Sequence, residues 1–363
     1  MRGRLTVVVV AEVAGPAPAL KMLAREAGTE RHRVLEAPQY LRAVWWLLMA
    51  VLTVCGLGAG VALGAAHSSR TAGSGLMWLM FVGSSVHVAA TFSVVGDPKA
   101  RRIMSAHRSR LIVLPVVLTA TAVLVTSNMP AQAVSVSLLA FFAWQLLHYQ
   151  KQNLGLAALA ARSFGARAMT IWQRRCLVVV GVAAIGQLIG DPALFQIHGL
   201  WGSQVPIEGV AAGLFAGASL WGGLLLIGRG RSERSPAFVT AYALALLFPL
   251  PMFVFSSPYA GVGGMTIAHG LQYLLVVGTT AFSRGRGPDR AMYLARAAVA
   301  ALLGGWLISV MSHFDTRAGG TKAIFGVYLG LVMAHFVLDA RLWRVRDAKS
   351  REFVTARLGP ILG

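Results

Sequence analysis

The residues from Leu111 to Gln150 read LIVLPVVLTATAVLVTSNMPAQAVSVSLLAFFAWQLLHYQ and contain no Asp, Glu, Lys or Arg. A helix that crosses a bilayer needs about 20 largely apolar residues. This stretch is long enough for two crossings, and Asn128-Met129-Pro130 supplies turn chemistry near its middle. The sequence therefore predicts two membrane-spanning helices joined by a tight turn.

Long stretches without charge recur along the rest of the chain. Charged residues make up 13% of the 363 residues and apolar residues 56%, whereas a soluble domain carries about 25% charged residues. Soluble globular and disordered proteins are both excluded by this composition. We predict an all-α, polytopic membrane bundle of about ten transmembrane helices. Their expected ranges are 43–66, 75–95, 111–127, 131–150 or 131–161, 176–190, 210–228, 236–256, 266–283, 297–312 and 322–343.

The Lys and Arg residues fall almost entirely on one side of these spans. Of the 33, only Arg70, Arg317 and Lys322 lie on the other side. Because cytoplasmic loops carry the excess of Lys and Arg, both termini are expected in the cytoplasm. The net charge of +20 is then a topology signal, and we predict no nucleic-acid partner. The expected organisation is a cytoplasmic tail over 1–40, a transmembrane domain over 41–345 and a cytoplasmic tail over 346–363, in the cell membrane among lipid.

Four histidines, His87, His148, His269 and His335, lie within the predicted spans. Ionisable side chains inside a membrane are costly and usually functional. With a rise of about 1.5 Å per residue, all four reach the middle of the membrane if the fourth span continues beyond residue 150. Asp339 shares the helix face of His335. Because imidazole and carboxylate bind transition metals, we predict that these five residues hold iron, or alternatively zinc, copper or manganese.

Polar residues three or four positions from these histidines share their helix faces. The amides and the phenol among them are expected to orient water or substrate. Asp339 is expected to bind the metal or to position a ligating histidine. Lys151 is expected to donate a proton, to anchor an anionic substrate or, if burial lowers its pKa, to act as a nucleophile. The predicted catalytic residues are Lys151, Gln152, Gln272, Tyr273 and Asp339.

Several other features have structural explanations. The small residues of the Gly56–Gly60 segment favour close helix packing. The Gly261–Gly264 segment is expected to form an external turn. Trp144 and Trp343 are expected at the membrane interfaces, where aromatic side chains gather.

A resemblance is carried by the segments that begin at the four histidines. They read HVAAT from residue 87, HYQKQNLG from 148, HGLQY from 269 and HFVLDARLWR from 335. Over about residues 75–350 the chain resembles a group of largely uncharacterised actinobacterial polytopic membrane proteins with dispersed intramembrane histidines, which implies no particular activity. It is also distantly similar to bacterial β-carotene-cleaving membrane oxygenases, through the dispersed histidines and the His335-to-Asp339 element. The HxxxH and HxxHH boxes of membrane desaturases do not occur in the chain.

Several hypotheses about function remain open at this point. The first is an integral-membrane metalloenzyme of redox or oxygenase type, acting on a lipophilic or small reactive substrate. The second is a non-metal biosynthetic enzyme that uses Lys151 and the histidines, including one that forms N–N bonds or diazo groups. The third is a proton-coupled transporter, in which the same residues relay protons. The fourth is a structural subunit of a larger membrane complex; the oligomeric state is left open.

Overall fold

The computed structural model describes residues 18–66, 81–284, 288–314 and 319–362, and this part of the chain is 86% helical with no strand. Nine of its helices are long and apolar enough to cross a membrane, and α2 is a shorter apolar helix. The chain is therefore a multi-pass helical membrane protein, and the predicted fold class is confirmed. The helices are α1 Pro18–Ala66, α2 Phe81–Val94, α3 Pro98–Ala106, α4 Ser109–Asn128, α5 Ala131–Ser163, α6 Ile171–Gly190, α7 Val205–Ile227, α8 Pro236–Val254, α9 Tyr259–Phe282, α10 Pro288–Met311, α11 Gly319–Leu342 and α12 Ala348–Leu362.

Each predicted span corresponds to one of these helices, although several differ in length. The helix α5 continues without a break to Ser163, so the longer alternative for the fourth span is right. The helices α6 and α10 begin earlier than predicted, at Ile171 and Pro288. Their first turns contain arginines, whose long apolar stems allow the charged ends to reach the membrane surface. Residues 75–80 of the second predicted span lie outside the described residues.

Side-chain caps fix where two helices begin on the arginine-rich side. Asp97 caps α3, because its carboxylate accepts a hydrogen bond from the backbone N–H of Lys99 and Pro98 occupies the first helical position. Thr170 and Gln173 form a reciprocal capping box at the start of α6. Both caps lie in stretches that separate predicted spans, 96–110 and 162–175.

The helix α9 lies at the centre of the bundle, and 72% of the residues in an 18-residue apolar stretch of this helix are buried. It packs along α1 on one side and against α2 and α10 on another. Gly56 and Gly60 of α1 lie directly against the backbone of Ala268 and Gly264 of α9, which confirms the predicted close packing. The expected external turn at 261–264 is wrong, since these residues form the first turns of α9.

The predicted C-terminal tail contains α12, which packs across the arginine-rich end of the bundle. Phe353 and Leu358 of α12 are buried in an apolar cluster with residues of α2, α3, α9 and α11. An ion pair joins the same helix to the bundle: Nη2 of Arg357 lies 2.7 Å from Oδ2 of Asp97, and Nε of Arg284 lies 3.4 Å from that oxygen. The helix α12 is therefore part of the folded body.

Candidate metal centre

Four histidines from four different helices meet inside the bundle. They come from α2, α5, α9 and α11, and each is at most 8% exposed. Around the ring His87–His269–His148–His335, successive ring centroids lie 4.9, 5.0, 5.1 and 4.9 Å apart. The structure thus brings together all four histidines that the sequence singled out, and it does so in a closed quadrilateral.

Asp339, one turn after His335 on α11, directs a carboxylate oxygen into this cluster. Its Oδ2 lies 3.7 Å from Nε2 of His148 and 3.6 Å from Nε2 of His335, too far for hydrogen bonds. Neighbouring ligand atoms around an ion with metal–ligand bonds of about 2.1 Å are roughly 3.0–3.4 Å apart. A small inward movement is therefore enough to place the three atoms on one ion.

Two groups of three residues have ligand atoms within 4.8 Å of one another: His87, His269 and His335, and His148, His335 and Asp339. His335 belongs to both groups. Its Nδ1 lies 2.6 Å from Oγ1 of Thr91, which leaves Nε2 as its free ligand atom. The single lone pair on this nitrogen binds only one ion, so the two groups cannot hold separate ions through His335. They therefore describe a single centre with up to five metal ligands.

Hydrogen bonds to the outer nitrogens fix the orientation of two of the rings. Nδ1 of His87 lies 2.6 Å from the carbonyl oxygen of Gly83. Because a carbonyl only accepts hydrogen bonds, Nδ1 carries the proton and Nε2 keeps its lone pair. Gly83 lies in a π-helical turn at the start of α2, a feature found frequently at functional sites. Metal-ligating histidines are normally held in this way by backbone carbonyls or polar side chains.

Four imidazole nitrogens in the cluster are buried without a hydrogen-bond partner in the described part of the chain. They are Nε2 of His148, Nε2 of His335 and both ring nitrogens of His269. An unsatisfied buried polar group costs about 1–3 kcal/mol, so four of them in one place need an explanation. A bound ion, or water, at the centre of the cluster would satisfy one nitrogen of each of the three histidines, and the second nitrogen of His269 would keep its proton.

The outer oxygen of Asp339 is held by two side chains, those of Tyr273 and Trp343. The hydroxyl of Tyr273 donates to Oδ1 at 2.6 Å, and Nε1 of Trp343 donates to the same oxygen at 3.3 Å. These bonds leave Oδ2 free for the cluster. This contact of Trp343 was not predicted, although its position one turn after Asp339 on the same helix face is a usable signal.

Gln152 and Gln272 lie beside the histidine cluster and form an amide strip with their neighbours. Nε2 of Gln152 donates to Oε1 of Gln272 at 2.9 Å. Nε2 of Gln272 is 3.0 Å from Oγ1 of Thr53 and 3.3 Å from Oδ1 of Asn153. The two predicted glutamines therefore bind each other in the structure. Thr53 and Asn153, which complete the strip, carried no signal in the sequence beyond their polarity.

The amide strip ends at a narrow crevice between α1, α5, α8 and α9. Its cavity volume of about 20 Å³ is sufficient for one water molecule. Nε1 of Trp46 and Nδ2 of Asn153 are buried without a hydrogen-bond partner in the described residues, and both residues line the crevice. Two free N–H donors beside one cavity suit a water molecule or a ligand oxygen.

Lys151 is the one predicted site residue whose surroundings differ from those of the others. Its side chain is exposed, whereas His148 and Tyr149 on the same helix are buried. The buried stripe of α5 passes through Gln145, Tyr149 and Asn153. Lys151 follows Tyr149 by two residues, or about 200° around a helix of 3.6 residues per turn. Lys151 therefore lies on the outer face of α5, and its expected catalytic role stays a prediction.

Comparison of the chain with protein-family models, with curated proteins and with solved structures finds no match. The family resemblance stated from the sequence therefore stays a prediction.

Proposed function

We propose that this chain is an integral-membrane metalloenzyme whose catalytic centre is a transition-metal ion bound by His87, His148, His269, His335 and Asp339. The observation that carries the proposal is the convergence of four buried imidazoles and one carboxylate, with unpaired nitrogens on three of the histidines. His148, His335 and Asp339 have the composition of the 2-His-1-carboxylate set that binds non-haem iron. Iron is therefore the favoured metal, ahead of zinc, copper and manganese.

The proposed reaction is a redox conversion of oxygenase type. When bound, the metal supplies the redox chemistry, while the surrounding helices hold its ligands and exclude bulk water. Tyr273 and Trp343 fix the outer oxygen of Asp339, and Thr91 fixes His335. A centre enclosed by membrane-spanning helices suits a lipophilic substrate or a small reactive one. The Lys and Arg distribution supports the cell membrane as its location, with cytoplasmic termini.

A proton-coupled transporter is the second candidate, and one observation favours it. His335, Thr91, Tyr273 and Asp339 form a continuous chain of polar contacts of 2.6, 3.1 and 2.6 Å. Such a chain is able to relay a proton. The hypothesis of a non-metal enzyme that uses Lys151 has less support, because the side chain of Lys151 is exposed.

Metal content of the detergent-purified full chain tests the proposal. The protein is reconstituted separately with iron, zinc, copper and manganese, desalted and analysed by elemental mass spectrometry. We expect about one ion per chain and at least a tenfold lower content in His148→Ala and His335→Ala. The controls are Lys151→Ala and His198→Ala, which replace exposed side chains outside the cluster and are expected to retain wild-type metal.

A folded wild-type protein that retains none of the four metals would overturn the metalloenzyme proposal. Equal loss of metal in the controls and in the cluster variants would do the same, because binding would then not depend on the cluster. In either case, substrate uptake driven by a pH gradient and its dependence on Asp339 would test the transporter.

A further inference from the structure

A second cavity lies at the arginine-rich end of the bundle, away from the histidine cluster. It has a volume of about 480 Å³ and lies between α2, α3, the last turns of α9 and the first turns of α10. None of the five proposed ligands lines it, and Val277, its first lining residue on α9, follows His269 by eight residues, or about 12 Å along the helix. The cavity is therefore separate from the proposed metal centre.

The lining of this cavity combines apolar and basic side chains. Phe92 and Val277 contribute apolar surface, while Arg101, Arg284 and Arg296 contribute positive charge. Positive charge at this end of the bundle is expected for any membrane protein with cytoplasmic loops here. That rule does not require three arginines from three separate segments, α3, the turn after α9 and α10, to border one cavity with an apolar wall.

The acidic groups of the described chain leave this positive charge largely uncompensated. Asp97 is buried and pairs with both Arg284 and Arg357. Arg284 is held further by a 2.9 Å hydrogen bond to the carbonyl of Gly96. Arg101 and Arg296 are exposed and form no ion pair within the described part of the chain. One fixed arginine and two available arginines therefore border the cavity.

We propose that this cavity binds the phosphate of an anionic membrane lipid. Guanidinium groups bind phosphate oxygens in bidentate geometry, and basic pockets between transmembrane helices on the cytoplasmic side recognise acidic lipid headgroups. Arg101 and Arg296 contact the phosphate, Arg284 forms the fixed wall, and the apolar surface at Phe92 and Val277 follows the lipid chain. The proposal is independent of the metal centre.

Native mass spectrometry of the full chain in a neutral detergent tests this site. The protein is titrated separately with phosphatidylglycerol, phosphatidylcholine and inorganic phosphate at near-physiological ionic strength. We expect one tightly bound phosphatidylglycerol, with at least tenfold weaker binding of phosphatidylcholine and of inorganic phosphate. The double variant Arg101→Gln/Arg296→Gln is expected to weaken phosphatidylglycerol binding at least tenfold at an unchanged melting temperature.

The matched control is Arg344→Gln/Arg346→Gln, which removes two exposed arginines outside this cavity. It is expected to bind phosphatidylglycerol like the wild type. An equal loss in both double variants, or equal binding of the two lipids, would overturn the proposal, because lipid would then be attracted by overall charge or by any apolar surface. Inorganic phosphate that binds as tightly as phosphatidylglycerol would overturn the lipid assignment and indicate a soluble phosphate ligand.

Discussion

The two oxygens of Asp339 have different partners, and this division determines what the carboxylate is able to do. Oδ1 accepts hydrogen bonds from Tyr273 and Trp343, while Oδ2 faces His148 and His335. A carboxylate fixed through one oxygen is pre-positioned to bind an ion through the other. Such outer contacts commonly tune metal affinity as strongly as they orient the ligand.

The variant Tyr273→Phe removes one of these contacts without removing a proposed ligand. We expect the metal dissociation constant to rise about 10–100-fold, while the stoichiometry at saturating metal stays at the wild-type value. Competition with a chelator measures the affinity. The control is Tyr242→Phe, because the Tyr242 hydroxyl is also buried and donates to a backbone carbonyl, that of Gln173, in another part of the bundle. Equal affinities in the two variants would contradict the role given to Tyr273.

The candidate site residues that were predictable from the sequence are those whose presence in a span is itself unusual. Histidines and a carboxylate within apolar stretches are costly, so His269 and Asp339 were predictable without knowing any contact. The position of Lys151 was not predictable in the same way. Which side of α5 is buried depends on where α6, α8 and α9 pack against it, and helical spacing alone allowed either side. Thr53 and Asn153 were not predicted for a different reason: polar residues of this size are common in membrane helices, so their presence in a span is not a signal.

At the level of the helices, the crossing of α2 and α9 positions His87, one of the proposed metal ligands. Gly270 of α9 lies against the carbonyl of Gly83 on α2, and the position that a Cβ atom would take is 3.1 Å from Nδ1 of His87. That same carbonyl accepts the hydrogen bond from His87. Close approach of the two backbones therefore positions the imidazole.

The variant Gly270→Ala is expected to push α2 away from α9. We expect a melting temperature several degrees lower in detergent, together with a reduced metal content, because His87 moves with its helix. Gly278→Ala is the control on the same helix: its added Cβ meets no atom within 4 Å, and alanine favours a helix over glycine by about 1 kcal/mol. If both variants melt and bind metal alike, the crossing does not position His87.

Attachment of α12 depends on contacts between residues that are distant in sequence. Its sequence mixes charges with apolar residues and indicates no burial, so the tail prediction for 346–363 did not anticipate a packed helix. Two acids at its junction with α3 differ sharply in environment. Asp97 is 2% exposed in its side chain and paired with two arginines, whereas Glu352 is 65% exposed and paired with Lys99.

Removing one partner of a buried ion pair leaves an uncompensated charge, while an exposed pair contributes little. We therefore expect Asp97→Asn to lower the free energy of unfolding by about 3 kcal/mol, the lower end of the range for buried pairs, because both arginines are partly exposed. Glu352→Gln is expected to change it little. Chemical denaturation in mixed detergent micelles, followed by circular dichroism, measures both. Similar losses in the two variants would show that burial of Asp97 does not determine the contribution of this junction.

For the molecule as a whole, the number of crossings decides which membrane leaflet each feature faces. Nine described helices are long enough to cross, while the described part of α2 is shorter. If α2 is part of a tenth span, the number of crossings is even. Both termini and almost all of the Lys and Arg residues then lie on one side of the membrane. An odd number would separate the termini and divide the basic loops between the two sides, against the positive-inside rule.

Residue-specific labelling in intact cells tests this topology. In a Cys55→Ala background, Ser203→Cys, in the loop before α7, is expected to react with a membrane-impermeant maleimide. Ser232→Cys, in the loop before α8, is expected to react only after permeabilisation. Fluorescent reporters fused to the two termini are expected to be cytoplasmic in both cases. Termini on opposite sides would contradict the ten-span topology. Labelling of Ser232→Cys in intact cells would show that the arginine-bordered cavity faces the outer leaflet, where the cytoplasmic charge rule no longer explains its arginines.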